Sequence, residues 1–170
     1  MKKIYNSLFI IFLCLTFINC GSTAVFTPSN IDKTQISNAK SFRLSNIYAS
    51  IEKTEGQEKI IEALKASIID EFIKIGYKQD LSNPDFIISG ELIRLNEGDA
   101  GLRYIGGIYG LGKGEMKLIF EFKNNNGNLI LDGYSSGQIK TGNWGGDIKK
   151  VCEKISIDLA KKFKSYQLSI

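Results

Sequence analysis

Between Ile61 and Phe163 the apolar residues change spacing twice, and that change limits what the chain can fold into. Ile61, Leu64, Ile68, Phe72 and Ile75 recur at three and four residues, the mark of one helical face. Met116, Leu118, Phe120 and Phe122 then alternate with Lys117, Ile119 and Glu121, the period of a half-buried strand. Ile148, Val151, Cys152, Ile155, Leu159 and Phe163 return to helical spacing. A helix with one apolar face and a strand with one apolar face must each bury it against something else. The chain therefore holds strands and helices around a shared core.

Punctuation residues divide the chain further. Ser41 to Ile51, with Phe42 and Leu44, reads as a first strand. Thr54-Glu55-Gly56-Gln57 fits the S/T-x-x-E/Q capping box ahead of the first helix, and Gly76 suits its C′ position. Pro84 and Asp85 introduce the β-rich run Phe86 to Leu95. Asn126-Gly127 is a hairpin signal between the strand ending near Phe122 and its partner, Leu129 to Lys140. Lys161, Lys162 and Lys164 suit the C-terminal dipole end of the last helix.

The order is β-α-β-β-β-α. It predicts an α+β two-layer sandwich, with a mixed or antiparallel four-stranded sheet and two helices on one face. Strands one and two flank a helix, which admits a parallel crossover. The single domain is expected over residues 41–170, preceded by a polar tether over 20–40 that is rich in Ser, Thr, Asn and Lys.

The N-terminus reads as an address. Lys2 and Lys3 precede the apolar run Leu8 to Ile18, whose eleven residues fall short of the roughly 20 that span a bilayer. The run ends in Phe17-Ile18-Asn19-Cys20-Gly21, which resembles the lipobox of bacterial lipoproteins in a loose, spirochaete-like form. The resemblance implies removal of residues 1–19 and acylation of Cys20. Gly21 is not Asp, which favours the outer membrane, with the domain facing the periplasm or the cell surface. Several acyl chains, at about 0.8 kcal/mol per buried methylene, anchor a protein stably.

Composition excludes several functions. The chain has no histidine, which removes Ser-His-Asp and Cys-His catalysis and His-ligated zinc. Without residues 1–19 it loses two lysines and no acid, leaving 20 basic against 18 acidic groups. Arginine is confined to Arg43, Arg94 and Arg103, and no basic-aromatic stripe appears, so no nucleic-acid partner is expected. With Cys14 removed and Cys20 acylated, Cys152 stands alone and reads as a buried small hydrophobe.

From Pro84-Asp85-Phe86-Ile87-Ile88-Ser89-Gly90-Glu91-Leu92, the chain resembles a bacterial envelope family known as domain of unknown function 4410. Arg103 ahead of Gly106, Gly110 and Gly112, the hairpin, Ser136-Gly137 and Gly142 to Gly146 continue the likeness. It covers most of residues 60–165. The resemblance implies a secreted protein, commonly a lipoprotein, and brings no catalytic residues.

Gly98 to Gly114 holds seven glycines in 17 residues. Its Gly107-to-Lys113 spacing imitates a phosphate-binding loop. However, Gly114 replaces the hydroxyl residue and a strand follows where a helix is needed. A membrane glycine zipper is opposed by Arg103, Lys113, Glu115, Lys117 and Glu121. Glycines that allow bulges and close strand approach are the plain explanation. Long loops also carry recognition, and Arg103, Tyr104 and Tyr109 here, with Trp144 in the loop Gly142 to Gly146, are the candidate partner-binding residues. Trp144 equally suits a core cap. A glycosidase needs two carboxylates at a fixed separation, which sequence does not place for Glu97, Asp99, Glu115 and Asp147, so solvated charge is the default; Asn96, Glu97 and Asp99 lack EF-hand spacing, and neither a metal nor a cofactor is expected.

These readings lead to the expectation of a lipid-anchored, non-enzymatic envelope protein that touches the membrane through Cys20 and binds another envelope component. An envelope hydrolase and a small-ligand carrier are the alternatives. The carrier requires a cavity between helices and sheet.

Overall fold

The computed structural model describes residues 22–53, 56–96, 114–139 and 148–169. In chain order these form β1 (Ser22–Ile31), α1 (Lys33–Ser37), β2 (Ser41–Ala49), α2 (Gln57–Lys74), β3 (Lys78–Gln79), β4 (Phe86–Asn96), β5 (Glu115–Lys123), β6 (Leu129–Ile139) and α3 (Ile148–Leu168). One six-stranded sheet runs β1-β6-β5-β4-β2-β3. β1, β6, β5 and β4 are mutually antiparallel, while β2 runs parallel to both β4 and β3. The expected α+β class and the parallel β2–β4 relation hold. The sheet has two strands more than expected, and α1 is added.

Residues 22–31, expected as tether, are instead an edge strand. β1 pairs with β6 from Ser22↔Ile139 to Ile31↔Leu131, with an irregularity between Pro28 and Asn30. Phe26 and Ile36 are buried, so the segment belongs to the core.

The start of α2 also differs. Its N-cap is Gly56, at φ 81° and with no side-chain cap, so Gln57 enters the helix first instead of closing a capping box. The end is as expected. Gly76 sits at φ 98°. The Gly76 N–H donates to Ile73 O at 3.0 Å and the Tyr77 N–H to Phe72 O at 3.0 Å, the paired bonds of a Schellman motif. α3 runs on to Leu168, which leaves Lys161, Lys162 and Lys164 short of its last turn.

α2 and α3 pack against each other and on the same face of the sheet. Phe42, Phe72, Phe86, Phe122 and Phe163 come from β2, α2, β4, β5 and α3, and their ring centroids lie 4.6 to 6.2 Å apart in contacting pairs. Tyr77 stands edge-on to Phe86 and Phe163. Such pairs add about 0.5–1.5 kcal/mol each beyond the area they bury. Cys152 is buried as expected, and its thiol donates to Ile60 O at 3.9 Å.

In the β5–β6 hairpin the Asn124 side chain carries the turn. Its Oδ1 accepts the N–H groups of Asn126 and Asn128, each at 2.9 Å, and Gly127 takes φ 83°.

Candidate functional site

The sequence-predicted residues Cys20, Arg103, Tyr104, Tyr109 and Trp144 lie outside the described residues, as do Glu97, Asp99 and Asp147. The strands that carry their segments are described, and the register says where those segments leave the sheet. Asn96 at the end of β4 pairs with Glu115 at the start of β5, Glu115 pairs with Gln138, and Ile139 pairs with Ser22. Residues 97–113, residues 140–147 and the chain toward Cys20 therefore all depart from one end of the sheet. Ala49 pairs with Leu92, so β2 also ends toward this side. The hairpin 124–128 and α1 lie at the opposite end.

Glu115 marks the root of the long loop. It accepts from Arg94 Nε at 3.0 Å and from Lys117 Nζ at 3.3 Å, and its side chain is mostly shielded. These ion pairs occupy it as a structural group at the strand end. Among the described residues no group of three or more His, Cys, Asp or Glu could hold a metal ion. No helix among them is long and apolar enough to cross a membrane.

The sheet face away from the helices presents a second feature. Tyr48, Glu91, Ile119, Tyr134 and Thr27 stand opposite one another across five strands. The Tyr48 hydroxyl donates to Glu91 Oε2 at 3.1 Å. That bond and the nearby carboxylates hold the Tyr48 phenol above its ordinary range. A dimple of about 80 Å³ lies between Tyr48, Ser89, Glu91, Ile119 and Glu121. Sequence reasoning missed this face. Its one available signal was Ile119, an apolar residue at a position where Lys117 and Glu121 face solvent.

A wider groove of about 590 Å³ runs between α2 and α3 along Ala63, Ala66, Ser67 and Ile157. Charged residues, Asp70, Glu71, Lys74 and Glu153 among them, line the rest of it.

No family model and no curated protein sequence matches the chain, so the resemblance to domain of unknown function 4410 has no family model behind it. The chain is similar in structure to several solved proteins. A PelC dodecamer from Paraburkholderia phytofirmans superposes with a TM-score of 0.51 at 14% identity, over 82% of this chain and 96% of that one. A singly substituted form of the same dodecamer gives 0.48 at 14% identity, over 82% and 98%. Protein XCC0632 from Xanthomonas campestris, of the domain of unknown function 330 family, gives 0.43 at 11% identity, over 88% and 91%.

Proposed function

We propose that the chain is a lipid-anchored, non-enzymatic envelope protein that serves as an assembly module. The lipid is attached at Cys20, and the domain sits against the outer membrane. One observation carries the reading: the chain toward Cys20 and the roots of both glycine-rich loops leave the sheet at the same end. Anchoring at Cys20 holds that end toward the membrane. Arg103, Tyr104, Tyr109 and Trp144 are thereby kept near the bilayer surface, where the anchor raises their effective concentration toward other envelope components.

Two further observations support a binding role over the alternatives. Aromatic rings fill the space between helices and sheet where a carrier needs a cavity. Glu115, the one described carboxylate of the hydrolase reading, is taken up in two ion pairs. The dodecamer of the PelC fold neighbour favours a module that works in multiple copies. The likeness to domain of unknown function 4410 belongs to the same reading and adds secretion.

Mass spectrometry of the native chain tests the anchor, and crosslinking in intact cells tests the interaction. The expected result is acylated Cys20 and a captured envelope component, lost on Cys20→Ala and weakened by Arg103→Ala or Trp144→Ala at unchanged circular dichroism. Unmodified Cys20, or capture untouched by all three substitutions, overturns the proposal.

A further inference from the structure

The sheet face opposite the helices carries more apolar surface than a solvated face needs. Val25, Tyr134, Ile119, Ile93 and Tyr48 are 56%, 53%, 38%, 37% and 49% exposed. Four of them are linked through the register: Ile119 pairs with both Tyr134 and Glu91, Glu91 with Tyr48, and Val25 stands two residues along β1 from Thr27, the partner of Tyr134; Ile93 lies in the β4 irregularity between Leu92 and Arg94. The result is an apolar belt across the sheet with one carboxylate, Glu91, inside it, held by the Tyr48 hydroxyl, and an exposed patch of that kind marks an interaction surface.

The sheet edges carry features that oppose strand addition. At β1, Asp158 takes the Phe26 N–H. On the other side β3 is two residues long, and β2 bulges between Leu44 and Ile47. Short strands and bulges are the devices by which sheets resist edge pairing. A partner therefore meets the face.

Charge identifies the partner. Lys117 and Glu121 lie two residues on either side of Ile119 along β5, and both are partly exposed. Their nearer rows differ in sign. Toward the loop end Lys117 pairs with Arg94. Toward the hairpin end Glu121 pairs with Asp132. We infer that this face binds the same face of a second copy, about a two-fold axis that crosses the strands through the Tyr134–Ile119 row. Such an axis sets Ile119 against Ile119 and brings Lys117 of each copy onto Glu121 of the other, two opposite-charge contacts set against one like-charge contact on the axis, between the two copies of Glu91, each held by a Tyr48 hydroxyl. A two-fold interface is self-complementary in this way, and aligned sheets pack face to face about 10 Å apart. The ion pairs that Lys117 and Glu121 make within one copy, to Glu115 and Lys123, are solvent-exposed and exchange at little cost.

The inference rests on the assembly reading only for taking the partner to be protein, and it holds whether or not Cys20 is acylated. The test is the mass of the full chain in detergent by light scattering over a concentration series, with Cys20 acylation scored separately. The expected mass is twice the chain, or a larger even multiple. Lys117→Glu weakens the pairing at least tenfold, and Lys117→Glu with Glu121→Lys restores it. Ile119→Cys, on the axis, forms a covalent dimer under mild oxidation, whereas Leu81→Cys, exposed elsewhere, does not. A monomer at every concentration, an assembly indifferent to Lys117→Glu, or crosslinking of Ile119→Cys to a different protein in cells overturns it.

Discussion

The backbone N–H of Phe26 donates to Asp158 Oδ2 at 2.6 Å, which ties the edge strand β1 to the middle of α3. The two residues are 132 positions apart, and the bond satisfies an outward-facing donor that the β6 ladder leaves unpaired. A carboxylate accepting a backbone N–H forms a charge-assisted bond, worth about 1.5–3 kcal/mol. Asp158→Ala is expected to lower unfolding stability by that amount and to speed amide exchange selectively in residues 22–31. Asp158→Asn keeps an acceptor oxygen and is expected to lose roughly half as much. Uniform exchange across the sheet in Asp158→Ala would show that β1 does not depend on this contact.

Gly137 sets the distance between sheet and helix. A Cβ built there overlaps Val151 Cγ1 and sits 3.1 to 3.2 Å from Ile155. Val151 and Ile155 are fully buried with no room to retreat. Gly137→Ala is expected to cost about 1–3 kcal/mol by overpacking, read as a lower urea midpoint. The compensating variant Gly137→Ala with Val151→Ala is expected to recover part of the loss. No recovery would place the strain elsewhere.

Much of this fold was legible in sequence, and the misses have definite causes. β4, β5, α2 and α3 each bury large apolar residues at a steady period. β1 does not: Val25 faces solvent beside inward Phe26, Ile31 is exposed, and small and polar residues with Pro28 fill the rest, so no period emerges. α1 has five residues and buries only Ile36. The capping box failed because Gly56 adopts the left-handed conformation and starts the helix itself. The proposed recognition residues were chosen by residue type. That the strand ends flanking their segments share one end follows from the antiparallel order of β4, β5, β6 and β1, and the β1 segment reads as tether in sequence.

Tyr77 gives a pH signature. Burial pushes its phenol up to about 12, and its hydroxyl donates to Gln167 Oε1 at 2.9 Å. The folded value lies above the ordinary 10, so the contribution to stability is complete below pH 10 and is lost as pH climbs toward 12. Absorbance titration of the folded chain at 295 nm is expected to show a late component, shared with the raised phenols of Tyr48 and Tyr166, that shrinks by one tyrosine at its highest-pH end in Tyr77→Phe. The same substitution is expected to cost about 1 kcal/mol. It also removes one partner of Gln167, whose Oε1 still accepts from Lys164 Nζ at 2.8 Å and whose Nε2 donates to the carbonyls of Ile36, Ser37 and Ala39 beside α1. A late component of undiminished amplitude in Tyr77→Phe would refute the assignment.

The shortness of the link between Cys20 and β1 makes the strongest demand on the proposed anchoring. Ser22 is already paired in the sheet, so only Gly21 separates it from Cys20. Two residues reach about 7 Å at full extension, too little for the domain to turn away from a membrane that holds Cys20. Ten Gly/Ser residues inserted after Gly21 give a link of roughly 17 Å root-mean-square length. The volume available to the loops grows accordingly, and their effective concentration at the bilayer surface falls by roughly an order of magnitude. A photo-crosslinker at Tyr104 is therefore expected to capture its envelope partner far less well in the extended chain, with acylation, oligomeric state and circular dichroism unchanged. Equal capture from both chains would mean that recognition does not use the orientation the short link imposes.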